Sequence, residues 1–383
     1  MTDAAAAAEA RIAARLKRIG EEGSQLLRHE ARWRDKQPFL ASRGYSLRPR
    51  FHPGWRPSWE LHPGSDPRNF EDHWQLPLWT NIIDATRDSD GRLVCIKRVR
   101  TAGSEIQIAR YLSTQPLRND SHNHCIPILD SFQDDHDPNI SYIIMPHMRP
   151  MSDPPFELVN DVLDFAEQVL EGLVFMHGHD IAHRDAAETN ILMDADSMYP
   201  QGYHPVQRKR LPVPNWSSDA PHYSRASAPR PVRYYFADFG LSTHLAPGAP
   251  RLVTGGLGAE RDVPELSDMI PYDPFKLDIF VLGNVFKSQI HDKYFRVEFL
   301  GPLIAAMMQR NPAARPTAQE ALQRWRHIRT RVSVIQRASR LRGRDETLVY
   351  TILFDILSFI KVVYVVAKKF TGWSLSWLSM IFT

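Results

Sequence analysis

The sequence lacks the features that mark several protein classes. Its 383 residues include only two cysteines, Cys95 and Cys125, which excludes a disulfide framework and a cysteine-based zinc site. Lysine plus arginine (47) barely exceed aspartate plus glutamate (44), and the net charge of +3 is too small to indicate a nucleic-acid partner. The first residues carry alanines and alternating charges where a secretory signal has a leucine-rich stretch, so a cytoplasmic location is expected.

The residues that are present have the balance of a globular protein, with 43% hydrophobic and 24% charged residues. A helical extension is predicted over about residues 4–35, and a proline- and aromatic-rich arm follows it within residues 1–70. Residues of about 195–233 are rich in proline and read as an inserted loop without regular structure. The length allows one large or two modest domains.

Two different periodicities divide the remaining sequence. An Asp90-Gly91 turn between β-prone runs predicts a hairpin over residues 81–100, followed by a short helix and a buried strand at residues 141–145. From about residue 156 an apolar helical stripe runs to Gly178. Further helices are predicted at 276–289, 295–309 and 318–329, so the chain changes from a small sheet to a mainly helical region.

Three short motifs supply the groups that phosphoryl transfer requires. They are Val94-Cys95-Ile96-Lys97, then His183-Arg184-Asp185 with Asn190 close behind, then Asp238-Phe239-Gly240. The reaction needs clamped phosphates, bound metal ions and an oriented acceptor hydroxyl. Taken singly, the three motifs also fit an exposed lysine on a strand, a salt-bridged helix end and an ordinary turn after a strand. Because all three occur together, a role in phosphoryl transfer is the favoured interpretation.

On these motifs the chain resembles the eukaryotic protein kinases over about residues 80–330. The run 234–242, the long loop before it and the arm from Gly44-Tyr45 to Trp59 together resemble a fungal branch of that family. The resemblance implies an α+β, bilobal fold with a small antiparallel-sheet lobe at 71–150 and a mainly helical lobe at 151–330. It also implies ATP and Mg²⁺ as cofactors, a protein substrate, and catalytic roles for Lys97, Asp185, Asn190 and Asp238. Asn190 and Asp238 are the implied metal ligands, which suits the oxygen preference of Mg²⁺.

The resemblance further implies a nucleotide-binding set and several structural residues. Glu105 is the expected partner of Lys97. The expected nucleotide-binding residues are Ile82, Cys95, Lys97, Glu105, Met145, Met148 and Leu192. Val263-Pro264-Glu265 and Arg315 are expected to form an ion pair, either a buried brace or a surface contact, and Asp278 is expected on a central helix.

The chain departs from the family at two places. Residues 74–81 contain no glycine where a phosphate-cradling loop is expected, and Ala187 stands where serine/threonine kinases have a lysine. A lost cation facing developing charge predicts slow catalysis. The predicted function is an ATP-dependent protein kinase with serine or threonine acceptors; the alternatives are a pseudokinase that acts as a nucleotide-binding or scaffold module and, with less support, a small-molecule phosphotransferase.

The last region, residues 345–383, is an apolar and amphipathic tail. Leu348 to Ala367 approach bilayer-spanning length, but Asp355 and Lys361 interrupt the run. Membrane-surface contact is predicted in preference to insertion, with folding back onto the protein as the alternative. A chain ending near Gln336 is expected to be more soluble.

Overall fold

The computed structural model describes residues 3–76, 81–256, 258–260 and 262–347. These residues form a mixed α/β protein with a curled antiparallel sheet and several helices. By contact density the chain divides into two units, each built from separate stretches of sequence. The first unit comprises Met1–Thr101, Ile128–His147 and Tyr199–Pro221, and the second comprises Ala102–Pro127, Met148–Met198 and His222–Thr383. The predicted lobe boundaries stay a prediction.

A five-stranded antiparallel sheet organises the first unit. Its elements are α1 (Asp3–Ser24), α2 (Arg28–Ser42), β1 (Tyr45–Ser46), β2 (Ile82–Arg87), β3 (Arg92–Arg100), β4 (Asp130–Gln133) and β5 (Ile140–Pro146). The strand order is β1-β2-β3-β5-β4. Gly91 has a φ of 68°, which glycine adopts without strain, so the predicted Asp90-Gly91 hairpin is confirmed.

One face of this sheet is buried under an aromatic core. Val94 and Ile96 of β3 pack there with Trp33 and Leu40 of α2. The predicted extension at 4–35 is therefore only partly correct: two helices meet near residues 25–27, and the second is a core element because Trp33 and Leu40 are fully buried.

Helices dominate the second unit. Its elements are α3 (Ser104–Leu112), β6 (Arg149–Pro150), α4 (Val159–Gly178), β7 (Ile181–Ala182), β8 (Ile191–Asp194), β9 (Arg233–Phe236), β10 (Thr243–His244), α5 (Pro274–Val285), β11 (Tyr294–Phe295), α6 (Gly301–Met307), α7 (Ala318–Arg331), α8 (Val334–Ala338) and β12 (Arg342–Gly343). The strands form one sheet of order β6-β8-β9 and two short pairs, β7 with β10 and β11 with β12, all antiparallel.

The helix predictions hold at α4 and α7 and hold only in part at residues 295–309. In that range a 3₁₀ turn at Glu298–Leu300 leads directly into α6, and the helical stretch starts no earlier because Arg296 adopts a left-handed φ of 70°. The loop between β8 and β9 contains no helix or strand, as predicted, yet Tyr203, His204 and Leu211 are buried within the first unit.

Among the described residues, no helix combines the length and apolarity needed to cross a bilayer. The predicted tail segment from Leu348 onward lies outside the described residues.

Candidate functional site

The loop that carries Asp185 is held by a buried carboxylate on α5. Asp278 is fully buried, and its two oxygens accept the backbone N–H groups of His183 (2.8 Å) and Arg184 (2.6 Å). His177 Nε2 also lies 2.9 Å from Asp278 Oδ2. Arg184 has a left-handed φ of 65°, a conformation that surrounding contacts must stabilise. These hydrogen bonds to one charged group fix the turn that presents Asp185.

Asp185 and Asn190 are in direct contact. The Asn190 side-chain amide donates to Asp185 Oδ2 at 2.8 Å and to the Asp185 carbonyl at 2.9 Å. Asn190 ends the 3₁₀ turn Glu188–Asn190 immediately before β8. Because Nδ2 makes both bonds, Oδ1 is the amide atom that is not directed at Asp185.

The structure places Asp238 beside Asn190 through strand pairing. Ile191 pairs with Phe236, and the Ala237 N–H donates to the Asn190 carbonyl at 2.9 Å, so Asp238 follows directly on a residue bonded to Asn190. Asp238 has a left-handed φ of 63°, and its side chain accepts the Gly240 N–H at 3.1 Å. The sequence therefore folds Asp185, Asn190 and Asp238 into one small region of the second unit.

Glu105 of α3 reaches the same turn. A Cβ added to Gly240 would lie 3.0 Å from Asp238 Oδ1 and 3.7 Å from Glu105 Oε2. Both carboxylates therefore approach Gly240, and a side chain there would compete with them for space. Glycine at this position leaves room for the two acidic groups.

His183 is a neutral connector between the loop and β9. It is fully buried, and desolvation lowers the pKa of its imidazole, which favours the uncharged ring. Nδ1 accepts the Asp185 N–H at 3.3 Å, so the proton is assigned to Nε2, which donates to the Ala237 carbonyl at 3.1 Å. His183 therefore ties the Asp185 loop to the residue that precedes Asp238.

Four of the predicted nucleotide-binding residues share one face of the five-stranded sheet. Ile82 pairs directly with Lys97, and Cys95 pairs with Met145, so each pair points to one side of the sheet. Since Val94 and Ile96 face the aromatic core, Cys95 and Lys97 lie on the opposite face. Lys97 is 8% exposed, and burial raises the pKa of the Cys95 thiol to about 12, so that thiol is uncharged at neutral pH.

Met148 and Leu192 lie in the second unit. Met148 directly precedes β6, and β6 residue Pro150 pairs with Leu192 of β8. Both side chains are half-buried. The seven predicted nucleotide-binding residues thus fall into two groups: Ile82, Cys95, Lys97 and Met145 belong to the first unit, and Glu105, Met148 and Leu192 belong to the second.

The predicted Glu265–Arg315 pair is the buried brace and not a surface contact. Arg315 is 2% exposed, and its guanidinium donates to both Glu265 oxygens, with a distance of 2.8 Å from Nη2 to Oε2. The same guanidinium donates to the Lys276 and Gln309 carbonyls. The fork geometry fixes the chain after residue 262 onto the helical region.

Sequence reasoning missed one contact at Asp185. Asp185 Oδ1 accepts the backbone N–H of Ala259 at 2.8 Å, in a stretch that we call the glycine segment, residues 254–256 and 258–260. A Cβ on Gly258 would overlap Asp185 Oδ1 and lie 2.8 Å from its Cγ. Three glycines within four residues, Gly255, Gly256 and Gly258, were the sequence signal for a close backbone approach.

Ala187 supplies no cation at the site. It is 8% exposed and immediately precedes the turn that ends at Asn190.

No family model matches this chain. The cluster of Asp185, Asn190 and Asp238 can orient a hydroxyl at a carboxylate and offer oxygen ligands beside it. A function for this cluster must therefore be argued from the chemistry of its residues.

Proposed function

We propose that this chain is an ATP- and Mg²⁺-dependent protein kinase with a bilobal fold, acting on serine or threonine hydroxyls of a protein substrate. The observation that carries the proposal is the cluster of Asp185, Asn190 and Asp238, in which the Asn190 amide bonds the Asp185 carboxylate at 2.8 Å and strand pairing sets Asp238 alongside. A positioned carboxylate beside two oxygen ligands matches two of the requirements of phosphoryl transfer, an oriented acceptor hydroxyl and a bound metal ion.

The donor chemistry of the site fits magnesium. Asp238 offers a carboxylate, and Asn190 offers Oδ1 because its Nδ2 is already engaged with Asp185. Hard oxygen ligands of this kind suit Mg²⁺, which keeps water and substrate phosphates as its remaining ligands. When bound, Mg²⁺ would offset the negative charge of the nucleotide phosphates.

Asp185 is the residue that we assign to the acceptor hydroxyl. The hydroxyl oxygen forms a bond to the γ-phosphorus, the bond from that phosphorus to the bridging oxygen of ADP breaks, and the hydroxyl proton passes to the Asp185 carboxylate. Because the transition state is loose, the main contribution of Asp185 is orientation. Its contacts with Asn190 and Ala259 supply that orientation.

Lys97 is the cation that we assign to the α- and β-phosphates. It emerges from the sheet face that also carries Ile82, Cys95 and Met145, an apolar surface suited to an adenine ring. Lys97 is 8% exposed, so its amine lies near a low-dielectric surface, where a positive charge would attract phosphate more strongly than in water.

The second candidate function is nucleotide binding without transfer. Ala187 favours it, because the site lacks the amine that would face the transferring phosphate at that position. This pseudokinase alternative keeps Lys97, Asn190 and Asp238 as a binding set and removes the chemical role of Asp185.

The test uses purified full-length protein with radiolabelled ATP and either Mg²⁺ or Mn²⁺. We expect label transfer to protein hydroxyls in the parent, and a loss of at least about 100-fold in Asp185→Asn and Lys97→Met. The matched controls are Asp180→Asn and Lys293→Met, which change the same charges at exposed or half-buried positions outside the cluster. A thermal shift with MgATP but no label transfer would favour the binding function. If the parent showed no thermal shift and no label transfer, both proposals would be overturned.

A further inference from the structure

The glycine segment contacts two adjacent residues of opposite charge through its main chain. The Arg184 guanidinium donates to the Thr254 carbonyl at 2.9 Å and to the Gly255 carbonyl at 2.6 Å. One residue along, Asp185 Oδ1 accepts the Ala259 N–H at 2.8 Å. The carbonyls face the cation and the amide faces the anion, so the segment is electrostatically matched to the Arg184-Asp185 pair.

The fit leaves no room for side chains at two positions. A Cβ on Gly256 would overlap Arg184 Nη2 and lie 2.9 Å from Cζ, and Gly256 also has a φ of 89°. A Cβ on Gly258 would overlap Asp185 Oδ1. Glycine is therefore required at 256 for conformation and space, and at 258 for space.

Anchors on both sides hold the segment independently of Asp185. Val253 and Tyr272 exchange two backbone hydrogen bonds of 2.9 Å, and the Gly255 N–H donates to the Ser267 carbonyl at 2.8 Å. Beyond Ala259, the Asn284 side-chain amide donates to Glu260. The Ala259 N–H is thus presented to Asp185 by a fixed scaffold, which limits the entropy that the contact costs.

We propose that the Ala259 backbone N–H, presented by the glycine segment, is a positioning group for Asp185 in the proposed phosphoryl transfer. The N–H holds Oδ1 while the Asn190 amide holds Oδ2, so the carboxylate plane is fixed from two sides. Each oxygen keeps a further lone pair, and one of them receives the acceptor hydroxyl. The Ala259 N–H thereby orients the Asp185 carboxylate in a site that has alanine at position 187 and so no lysine side chain there. This inference rests on the proposed function.

The decisive comparison is Ala259→Pro against Ala259→Gly in the full-length protein. Proline removes the N–H, and glycine keeps it. We expect kcat to fall about 10- to 100-fold in Ala259→Pro with the KM for ATP within about twofold, and to recover within about threefold of the parent in Ala259→Gly. Equal losses in both variants, or an unchanged kcat in Ala259→Pro, would overturn the inference.

A second pair of variants separates displacement from misfolding. Gly258→Ala pushes the segment away from Asp185, whereas Gly178→Ala introduces a side chain where nothing lies within 4 Å. We expect Gly258→Ala to lose kcat like Ala259→Pro with an unfolding midpoint close to that of Gly178→Ala. An active Gly258→Ala variant would count against the inference.

Hydrogen exchange tests the contact without relying on catalysis. We expect the Ala259 amide to exchange at least about 10-fold faster in Asp185→Ala than in the parent or in the exposed-site control Asp292→Ala. A parent that transfers no label defeats the proposed function, and an active parent with an Ala259 amide that Asp185→Ala leaves unchanged defeats the positioning role alone.

Discussion

At the scale of single residues, one buried ion pair ties the N-terminal helices to the arm that follows them. Arg50 and Glu30 side chains are both fully buried, and Arg50 Nη2 lies 3.0 Å from Glu30 Oε2. Arg50 also donates to the Gly23 and Asp72 carbonyls, while Glu30 accepts the Leu76 N–H at 2.9 Å. Each partner therefore serves several backbone groups as well as the other charge.

Arg50→Met is expected to lower the free energy of unfolding by about 3–5 kcal/mol, because it leaves the Glu30 carboxylate buried without its counter-charge. Denaturant unfolding of the parent and variant measures the loss. The control is Arg34→Met, which removes an exposed pair with Asp35 and should cost less than about 1 kcal/mol. Equal effects in the two variants would show that burial of the Arg50 pair has no energetic consequence.

A second residue-scale prediction concerns pH and Glu71. Desolvation acts to raise the pKa of the Glu71 carboxyl, but the hydrogen bond from His204 and the charge of Arg48 outweigh it and lower the pKa below the ordinary value of 4.5. His204 Nδ1 accepts the Gln207 N–H at 3.0 Å, so Nε2 carries the proton that bonds Glu71.

Because the folded-state pKa is lowered, Glu71 stabilises the protein above pH 4.5, and this contribution is lost as pH falls through the folded-state value. Glu71→Gln should therefore be less stable than the parent at pH 7, with a gap that narrows as pH falls from about 4.5. Thermal unfolding from pH 7 to pH 3 measures the gap, and the exposed Glu60→Gln serves as control. A gap independent of pH would contradict this assignment.

At the scale of elements, α4 depends on a glycine where it meets β9. A Cβ on Gly172 would lie 2.8 Å from His124 Cβ and 2.9 Å from Phe236 Cε2. Both neighbours are buried, so neither can move aside without disturbing the core.

Gly172→Ala is expected to destabilise the protein by about 1–3 kcal/mol through overpacking, even though alanine favours a helix. Gly178→Ala, at the end of the same helix with nothing within 4 Å, should be neutral or more stable by up to about 1 kcal/mol. Differential scanning calorimetry of both variants provides the comparison. If Gly172→Ala were more stable than the parent, the Phe236 ring would be able to move away from the added methyl group without an energetic cost.

The elements also show what local sequence can and cannot predict. The hairpin and α4 follow from short-range signals, a turn that needs φ > 0 and a helical stripe. The family motif singled out Asp185 and Asn190, but the hydrogen bond between them was not predicted. The burial of His204 was not predictable, because its partner Glu71 lies 133 positions earlier. The Ala259 contact was missed for another reason: a main-chain N–H exists at nearly every residue, so the neighbouring glycines indicate a close backbone approach without identifying Asp185 as the partner.

At the scale of the whole molecule, the folded part of the second unit continues beyond Gln336. The expected cut near Gln336 would remove folded residues: the Leu341 N–H donates to the Glu157 carbonyl at 2.7 Å, and the Ser339 carbonyl accepts the Val159 N–H at 3.0 Å. Leu341 is 4% exposed, and β12 pairs with β11. Ser339 and Leu341 therefore form backbone hydrogen bonds with the residues at the N-terminus of α4.

A chain ending at Thr347 should keep the unfolding free energy of the full-length protein within about 1 kcal/mol, whereas a chain ending at Gln336 should lose about 3–5 kcal/mol through the exposed leucine and lost strand contacts. Denaturant unfolding of the three chains tests this. If the chain ending at Gln336 were as stable as the other two, residues 339–343 would contribute nothing to the fold.

The same truncation tests the proposed membrane contact of residues 348–383. Co-sedimentation with vesicles of anionic and of neutral lipid should retain the full-length chain on the anionic vesicles, because Lys368 and Lys369 follow an apolar run. The chain ending at Thr347 should remain in the supernatant with both. If the two chains sedimented equally, residues 348–383 would not be the part of the protein that binds the vesicles. If the full-length protein sedimented with neither lipid, the tail would instead be expected to pack against the folded protein or against a partner protein.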